Sequence, residues 1–169
     1  DSAALEQLRD EATMLARVTD PHVVQLYQFV TGRQGAALVM EAVNGVSLKG
    51  MLAEHGHLEP EAALTVLKGS LLGLAAAHAV GVVHRDYKPA NVVVRDDGLS
   101  KLIDFGIAVL SGEGSRSGTP AYMAPEQWRG DPASPATDVY AATCVFFECV
   151  TGSRPYVAEN AAGLMARHL

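Results

Sequence analysis

One stretch of the sequence, residues 84–94, constrains the fold most strongly, because a cluster of polar residues changes abruptly into an apolar run. An acid, a base and an amide, Asp86, Lys88 and Asn91, lie within six residues. Pro89 interrupts any helix at this point. The three valines that follow are typical of a buried strand. We therefore predict a polar loop that leads directly into a strand.

A second change between apolar and polar residues follows shortly afterwards. Lys101-Leu102-Ile103 precedes Asp104, which lies 18 residues after Asp86. This separation is enough for a strand, a turn at Asp96-Asp97-Gly98 and a return strand. Such a hairpin would bring Asn91 and Asp104 to one end of a small sheet. Two side-chain oxygen ligands could hold Mg2+ there.

The same residues belong to three motifs that follow one another along the chain. These are His84-Arg85-Asp86-x-Lys88-x-x-Asn91, Asp104-Phe105-Gly106 and Gly118-Thr119-Pro120-x-Tyr122-x-Ala124-Pro125-Glu126. In this order they resemble the bacterial eukaryotic-like (Hanks-type) serine/threonine protein kinases. The resemblance implies an α+β, protein-kinase-like two-lobe fold, truncated to the end of the small lobe and most of the mainly helical large lobe. Residues 1–43 would be the remnant of the small lobe with the hinge, and 44–169 the large lobe without its C-terminal helices.

The resemblance implies a signalling enzyme that transfers the γ-phosphoryl group of ATP to Ser/Thr hydroxyl groups of proteins. Asp86 would accept or orient the proton of the substrate hydroxyl, and Lys88 would neutralise charge on the transferred group. Asn91 and Asp104 would bind Mg2+. Thr119 would lie beside Asp86 and Lys88 and mark specificity for Ser/Thr over Tyr.

The resemblance also implies a nucleotide-binding set, namely Glu11, Met40, Glu41, Val43, Ser47 and Val93, together with Asp104. Met40 would be the gatekeeper, and backbone groups of Glu41 and Val43 would hold adenine. Ser47 would lie near the ribose, and Val93 would form the floor under the base. Glu11 would be the ion-pairing glutamate of the regulatory helix. On the residues alone, a solvated carboxylate on a helix face is the better interpretation of Glu11.

Further residues near the catalytic loop are expected to support it rather than to react. His84 would pack the loop against Phe105. Arg85 suggests regulation, because a guanidinium beside the catalytic aspartate can be neutralised by a phosphorylated activation segment. Asp138 would hydrogen-bond the loop backbone, serve as an ordinary N-cap, or do both. His78 is expected to face the core or to cap a helix, not to bind a metal.

A short activation segment, residues 107–117, separates the second and third motifs. Its serines, Ser111, Ser115 and Ser117, are candidate phosphorylation sites, and a flexible Ser/Gly loop is the equally supported alternative. Residues 122–126 would form the platform that docks the protein substrate.

Hydrophobic periodicity and turn residues predict the remaining elements. Helices are expected at 3–18, 47–54, from 58–61 to 78–81, at 137–150 and at 160–169, with strands at 23–30 and 36–40. Residues 62–83 form a 22-residue apolar stretch that contains Lys68, Ser70 and His78. A buried core helix explains this stretch better than a membrane span does.

Composition argues against several function classes. The formal net charge is −6 and there is no basic run, which argues against a nucleic-acid partner. Cys144 and Cys149 lie five residues apart in a predicted helix and point to different faces, so no disulfide between them is expected. Free thiols fit a reducing cytoplasm, and no Cys/His spacing resembles a zinc site.

The chain begins at Asp1 and contains neither a Gly-x-Gly-x-x-Gly loop nor an Ala-x-Lys strand, so we expect an internal piece of a kinase domain, nearly inactive by itself. The alternative is a pseudokinase or interaction module that truly lacks the phosphate-binding loop. A small-molecule phosphotransferase fits less well, because those enzymes lack the platform at Ala124-Pro125-Glu126. The expected partners are ATP and protein substrates, self-association for autophosphorylation is a further option, and no membrane segment is expected within the chain.

Overall fold

The structure is a computed structural model that describes residues 2–33, 35–105 and 118–169. Helices and two separate antiparallel sheets together confirm the predicted α+β class. Short 3-10 turns cover Pro89–Asn91 and Pro120–Tyr122. In chain order the other elements are α1 (Ser2–Leu15), β1 (Leu26–Gly32), β2 (Gly35–Met40), β3 (Val46–Ser47), α2 (Leu48–His55), α3 (Pro60–Ala79), β4 (Val92–Val94), β5 (Ser100–Leu102), α4 (Pro125–Arg129), α5 (Pro135–Thr151) and α6 (Ala161–His168).

The N-terminal part of the chain consists of α1 and the β1–β2 hairpin. β1 begins three residues later than the predicted start at Val23, because Val23 and Val24 join the other sheet. Val24 N donates to the Leu102 carbonyl oxygen (2.9 Å), and Leu102 N donates to the His22 carbonyl oxygen (2.8 Å). Both valines are buried by this pairing. The base of the hairpin is therefore attached to β5.

The second sheet has the strand order β3-β4-β5 and carries the predicted hairpin. Its turn closes with Gly98 N donating to the Arg95 carbonyl oxygen (2.9 Å). In the register of the sheet, Ser47 pairs with Val93, and Val93 pairs with Lys101. These three residues therefore form one row across the sheet.

The main core lies where α3 packs against α5 and β5. Gly73 of α3 allows the close approach, because a Cβ there would lie 2.8 Å from the His22 carbonyl oxygen. By length and composition α3 could cross a membrane, and 39% of its most apolar 18-residue window is buried. That finding is weak, since the core helix of a soluble protein passes the same test. The predicted core helix is confirmed by its buried residues, which are Ala63, Val66, Gly69, Ser70, Gly73, Leu74 and Ala77.

The C-terminal part is helical, and α5 is its buried centre. The helix begins at Pro135, two residues before the predicted start, and Thr137 Oγ1 accepts from Ser134 N (2.9 Å) to hold its first turn. Cys144 and Cys149 lie on α5 as free, buried thiols, as predicted. Burial raises the pKa of each thiol to about 11. The thiols are thus protonated at neutral pH.

Candidate active site

The polar loop at 84–91 is held in place by the carboxylate of Asp138 on α5, a residue that is 1% exposed. Its Oδ2 accepts from His84 N (2.8 Å) and its Oδ1 from Arg85 N (2.9 Å). Oδ2 also lies 2.7 Å from His78 Nε2. The N-cap of α5 is Ser134, so Asp138 serves the loop and not the helix end. This confirms the first of the two roles predicted for Asp138.

His84 joins the loop to the end of β5. Its Nδ1 lies 3.2 Å from Asp86 N, a donor, so Nδ1 accepts and Nε2 carries the proton. Nε2 donates to the Ile103 carbonyl oxygen (2.9 Å), and the ring lies 4.5 Å from the Phe105 ring, as predicted. Complete burial lowers the pKa of His84 below its ordinary value, although nearby carboxylates, chiefly Asp138, oppose the shift. His84 is therefore a neutral structural residue.

The candidate catalytic residues form a closed triangle of contacts. Thr119 Oγ1 donates to Asp86 Oδ1 (2.8 Å) and accepts from Lys88 Nζ (2.8 Å). Lys88 Nζ also lies 3.1 Å from Asp86 Oδ2. The side chains of Asp86 and Lys88 are both 28% exposed, so a ligand can reach both groups. The fold thus brings together an acid, a base and a hydroxyl that are separated by up to 33 residues in the chain.

Asn91 and Asp104 lie at the same end of the small sheet, as the hairpin predicted. Ile103 N donates to the Asn91 carbonyl oxygen (3.0 Å), which sets Asp104 beside the loop. Asn91 Nδ2 donates to the Asp86 carbonyl oxygen (2.9 Å), so the amide oxygen takes no part in that bond. Asp104 is exposed. An amide oxygen and an exposed carboxylate fit Mg2+, which keeps several waters and takes few protein ligands.

Two residues of the site hold backbone angles that favour glycine. Arg85 has φ 68° and Asp104 has φ 50°. In the described residues, all other positive φ angles belong to glycines. Each such conformation costs about 1–3 kcal/mol and persists only where surrounding contacts impose it. Here the contacts of Asp138 and Asn91 with the adjoining backbone impose it.

The segment proposed from sequence as the gatekeeper and hinge, 40–45, is attached through the side chain of Glu41. Glu41 Oε2 accepts from Gln25 N (3.0 Å) and from Lys101 Nζ (2.9 Å), and Oε1 lies 2.8 Å from Lys101 Nζ. The hydrogen bond from Lys101, then that from Gln25, lowers the pKa of Glu41. Sequence reasoning considered only the backbone of Glu41 and missed Lys101. The strand that carries Lys101 reads Ser-Lys-Leu, so its burial could not be predicted from the sequence, and a buried ammonium requires a partner.

Of the other predicted nucleotide-binding residues, Met40 and Val43 belong to this segment, and Ser47 and Val93 lie in the second sheet. Met40 ends β2 and is partly exposed, and Val43 is half-buried. Ser47 and Val93 are neighbours in the second sheet. Gly45 holds the chain against that sheet, because a Cβ there would lie 2.4 Å from the Val94 carbonyl oxygen.

Glu11 lies apart from this group and contacts the catalytic loop instead. Arg85 Nη1 donates to Glu11 Oε1 (2.9 Å), and both side chains are about a quarter exposed, at 26% and 22%. The pair links α1 to the residue before Asp86. The predicted regulatory role of Arg85, and the candidate serines of the activation segment, concern residues 106–117, which lie outside the described residues.

The predicted substrate platform is attached to α5 and to the loop by three hydrogen bonds, whose partners include Glu148 and Gln127, which the sequence analysis did not single out. Tyr122 Oη donates to Glu148 Oε2 (2.5 Å). Gln127 Nε2 donates to the Arg85 carbonyl oxygen (3.1 Å). Glu126 Oε1 accepts from Thr137 Oγ1 (2.7 Å). The platform and the catalytic loop therefore form one connected unit.

One buried residue of the loop also makes a polar contact with the core. The hydroxyl of Tyr87 donates to Ser70 Oγ on α3 (2.8 Å). Burial raises the pKa of Tyr87, so the phenol stays protonated and able to donate. The hydroxyl therefore adds a specific bond between the loop and the core.

Comparison with known proteins gives a consistent result. The sequence matches the family described as "Protein kinase domain" over residues 1–169. It is 37% identical over 169 residues to serine/threonine-protein kinase PknD of Mycobacterium tuberculosis, covering 96% of this chain and 26% of that protein. It is 37% identical over 175 residues to PknH of Mycobacterium bovis (100% and 29% covered) and 38% identical over 175 residues to PknL of M. tuberculosis (100% and 44% covered). The chain thus spans between about a quarter and less than half of these curated relatives.

Proposed function

Since this chain belongs to the protein kinase domain family, we propose that the protein carrying it transfers the γ-phosphoryl group of ATP to serine or threonine hydroxyl groups of proteins. Its relatives carry the name serine/threonine-protein kinase. The observation that carries the proposal is the contact triangle of Asp86, Lys88 and Thr119. A hydroxyl is a poor nucleophile, and a fixed carboxylate with a cation beside it orients and activates one.

In this proposal Asp86 takes the proton of the substrate hydroxyl, and Lys88 balances charge on the transferred phosphoryl group. Thr119 holds both side chains in register before substrate arrives. Protein kinases normally use ATP and Mg2+, and Asn91 and Asp104 would hold the metal here. Mg2+ would neutralise charge on the phosphates.

The nucleotide would lie between the hinge and the second sheet. Backbone groups of Glu41 and Val43 would bind adenine, with Met40 at the back of the site. Ser47 and Val93, adjacent in the sheet, would face the ribose and the base. Glu11 would act from α1, through its contact with Arg85.

The proposal also covers the division of the chain into lobes and the cellular location of the kinase domain. Residues 1–43 form part of a small lobe with the hinge, and 44–169 form most of a large lobe. The kinase domain acts in the cytoplasm on protein substrates, and copies of the protein phosphorylate one another.

The test is phosphoryl transfer by the longest natural protein that contains these residues, with Asp86→Asn as the variant. With labelled Mg-ATP, we expect Asp86→Asn to lower transfer by about 100-fold or more, because the base is lost. Asp131→Asn, on an exposed residue, is the matched control and should keep full activity. Labelled phosphoserine or phosphothreonine in the wild type supports the proposal.

Two outcomes contradict it. Equal transfer by Asp86→Asn and wild type would remove the proposed role of Asp86. ATP binding without any transfer by the wild type, on itself or on a panel of proteins, would favour the pseudokinase alternative.

A further inference from the structure

The ion pair between Lys101 and Glu41 joins two parts of the chain that are 60 residues apart. The Lys101 side chain is only 9% exposed, so its ammonium group depends on this partner. Glu41 contacts it through both carboxylate oxygens, at 2.8 and 2.9 Å. The pair is therefore a fixed contact and not a surface ion pair that solvent would replace.

Glu41 is also paired with Gln25 through both side chain and backbone. Its carboxylate accepts from Gln25 N (3.0 Å), and its own N donates to the Gln25 carbonyl oxygen (2.8 Å). The carboxylate thus joins the hinge, the base of β1 and the last strand of the second sheet. A single side chain therefore contacts all three, in addition to the backbone bonds that join Val24 to Leu102.

Because of the position of Lys101 in the sheet, its ion pair with Glu41 affects the distance between the hinge and β4. Lys101 lies opposite Val93, and Val93 lies opposite Ser47. Fixing Glu41 to Lys101 therefore fixes the distance from the hinge to the strand that carries Val93. Gly45 sets the same distance from the other end, since its Cα lies against the Val94 backbone with no room for a Cβ.

We propose that Lys101 is a positioning residue that, through Glu41, sets the width of the slot between the hinge and β4 that receives the adenine ring. This inference rests on the proposed nucleotide site and adds a residue to it. Lys101 does not touch the nucleotide. It holds the backbone of Glu41 and Val43 at the separation from Val93 that a planar base requires. The lowered pKa of Glu41 keeps its carboxylate charged for the pair at neutral pH.

The experiment compares two ligands on the same variants of the longest natural protein: ATP, which has a base, and Mg-tripolyphosphate, which has none. Lys101→Met removes the ammonium but keeps the stem, and we expect it to weaken ATP binding about tenfold or more. Binding of Mg-tripolyphosphate should stay within about twofold, because the phosphate end is unaffected. Lys101→Arg should restore ATP affinity, since the guanidinium also pairs with a carboxylate.

Lys68→Met is the matched control, because Lys68 is an exposed lysine on α3, and it should bind both ligands like the wild type. If Lys101→Met does not fold, Glu41→Gln takes its place. It keeps an acceptor for Gln25 N and loses the charge, so ATP should still weaken more than tripolyphosphate.

The outcomes separate the two proposals. Wild-type protein that binds neither ligand overturns the proposed function and this inference with it. Wild-type binding with unchanged ATP affinity in Lys101→Met and Glu41→Gln overturns the inference alone. Equal loss of both ligands also overturns it, since Lys101 would then only stabilise the fold.

Discussion

The catalytic loop at 84–91 and the β1–β2 hairpin hold their shapes by different means. Tyr87 in the loop is 2% exposed, whereas Tyr27 in the hairpin is 63% exposed. The loop is bonded to α3, α5 and β5 through its backbone and its side chains. Among the described residues of the hairpin only Leu26 is buried, and its two strands bond mainly to each other.

The difference shows that the loop is fixed by many contacts, whereas the position of the hairpin depends on few. The loop geometry is imposed from several directions, so no single surface residue sets it. The hairpin has a firm local shape, but its position is set by a few contacts at its base, among them Glu41 with Gln25 and Val24 with Leu102. Substitutions should therefore have large effects in the loop and its supports and small effects along the hairpin.

The largest effect is expected for Asp138→Asn, which removes hydrogen bonds between α5 and the backbone of the loop. The amide offers one acceptor where the carboxylate serves three donors, so buried donors lose their partner. We expect a loss of about 3 kcal/mol in the free energy of unfolding, measured by urea denaturation. Asp131→Asn, on an exposed aspartate, is the control, with a change below about 0.5 kcal/mol. Similar losses in the two variants would contradict the conclusion that the Asp138 carboxylate holds the loop in place.

A smaller loss is expected for Gly45→Ala, at the junction of hinge and sheet. The new methyl group would lie 2.4 Å from the Val94 carbonyl oxygen, so the backbone must move. We expect a loss of about 2 kcal/mol, together with weaker ATP binding. In Gly32→Ala, at the end of β1, the new methyl group meets nothing within 4 Å. That variant should change the free energy of unfolding by less than about 1 kcal/mol. A larger loss in Gly32→Ala than in Gly45→Ala would contradict the expected difference between the two regions.

The smallest effect comes from one substitution made in both regions, Tyr87→Phe and Tyr27→Phe. In the loop it removes the bond to Ser70 Oγ and leaves that hydroxyl buried, at a cost of about 1 kcal/mol. In the hairpin the tyrosine is exposed, and we expect less than about 0.5 kcal/mol. Thermal or urea unfolding of the two variants measures the difference. Equal losses would mean that the Tyr87 hydroxyl adds nothing beyond packing.

Local signals in the sequence were sufficient for much of this arrangement. The polar loop, the β4–β5 hairpin and the core helix α3 follow from apolar runs, turn residues and periodicity, which act over a few residues. The family resemblance added the bond of Asp138 to the loop and the packing of His84 on Phe105. Neither contact could be read from the spacing alone.

The contacts that were missed all join distant parts of the chain. Val23 looked like the start of a strand, but its pairing with Leu102 depends on where β5 lies. The bonds of Lys101 with Glu41 and of Arg85 with Glu11 likewise require the whole fold. Charged residues give no periodic signal of their partners. The burial of Lys101, which requires a partner for its ammonium, is seen only in the structure.

The left-handed backbone at Arg85 and Asp104 sets the stability of this protein against its proposed activity. A glycine at either position would adopt the same angles without strain and so favour a more heat-resistant chain. It would also remove the guanidinium that holds Glu11 or the carboxylate proposed for Mg2+. Selection for stability alone would therefore drive both positions towards glycine, and selection for the proposed phosphoryl transfer would oppose it. In laboratory evolution of the longest natural protein that contains these residues, glycine arising at Asp104 should accompany a rise in melting temperature and a loss of phosphoryl transfer.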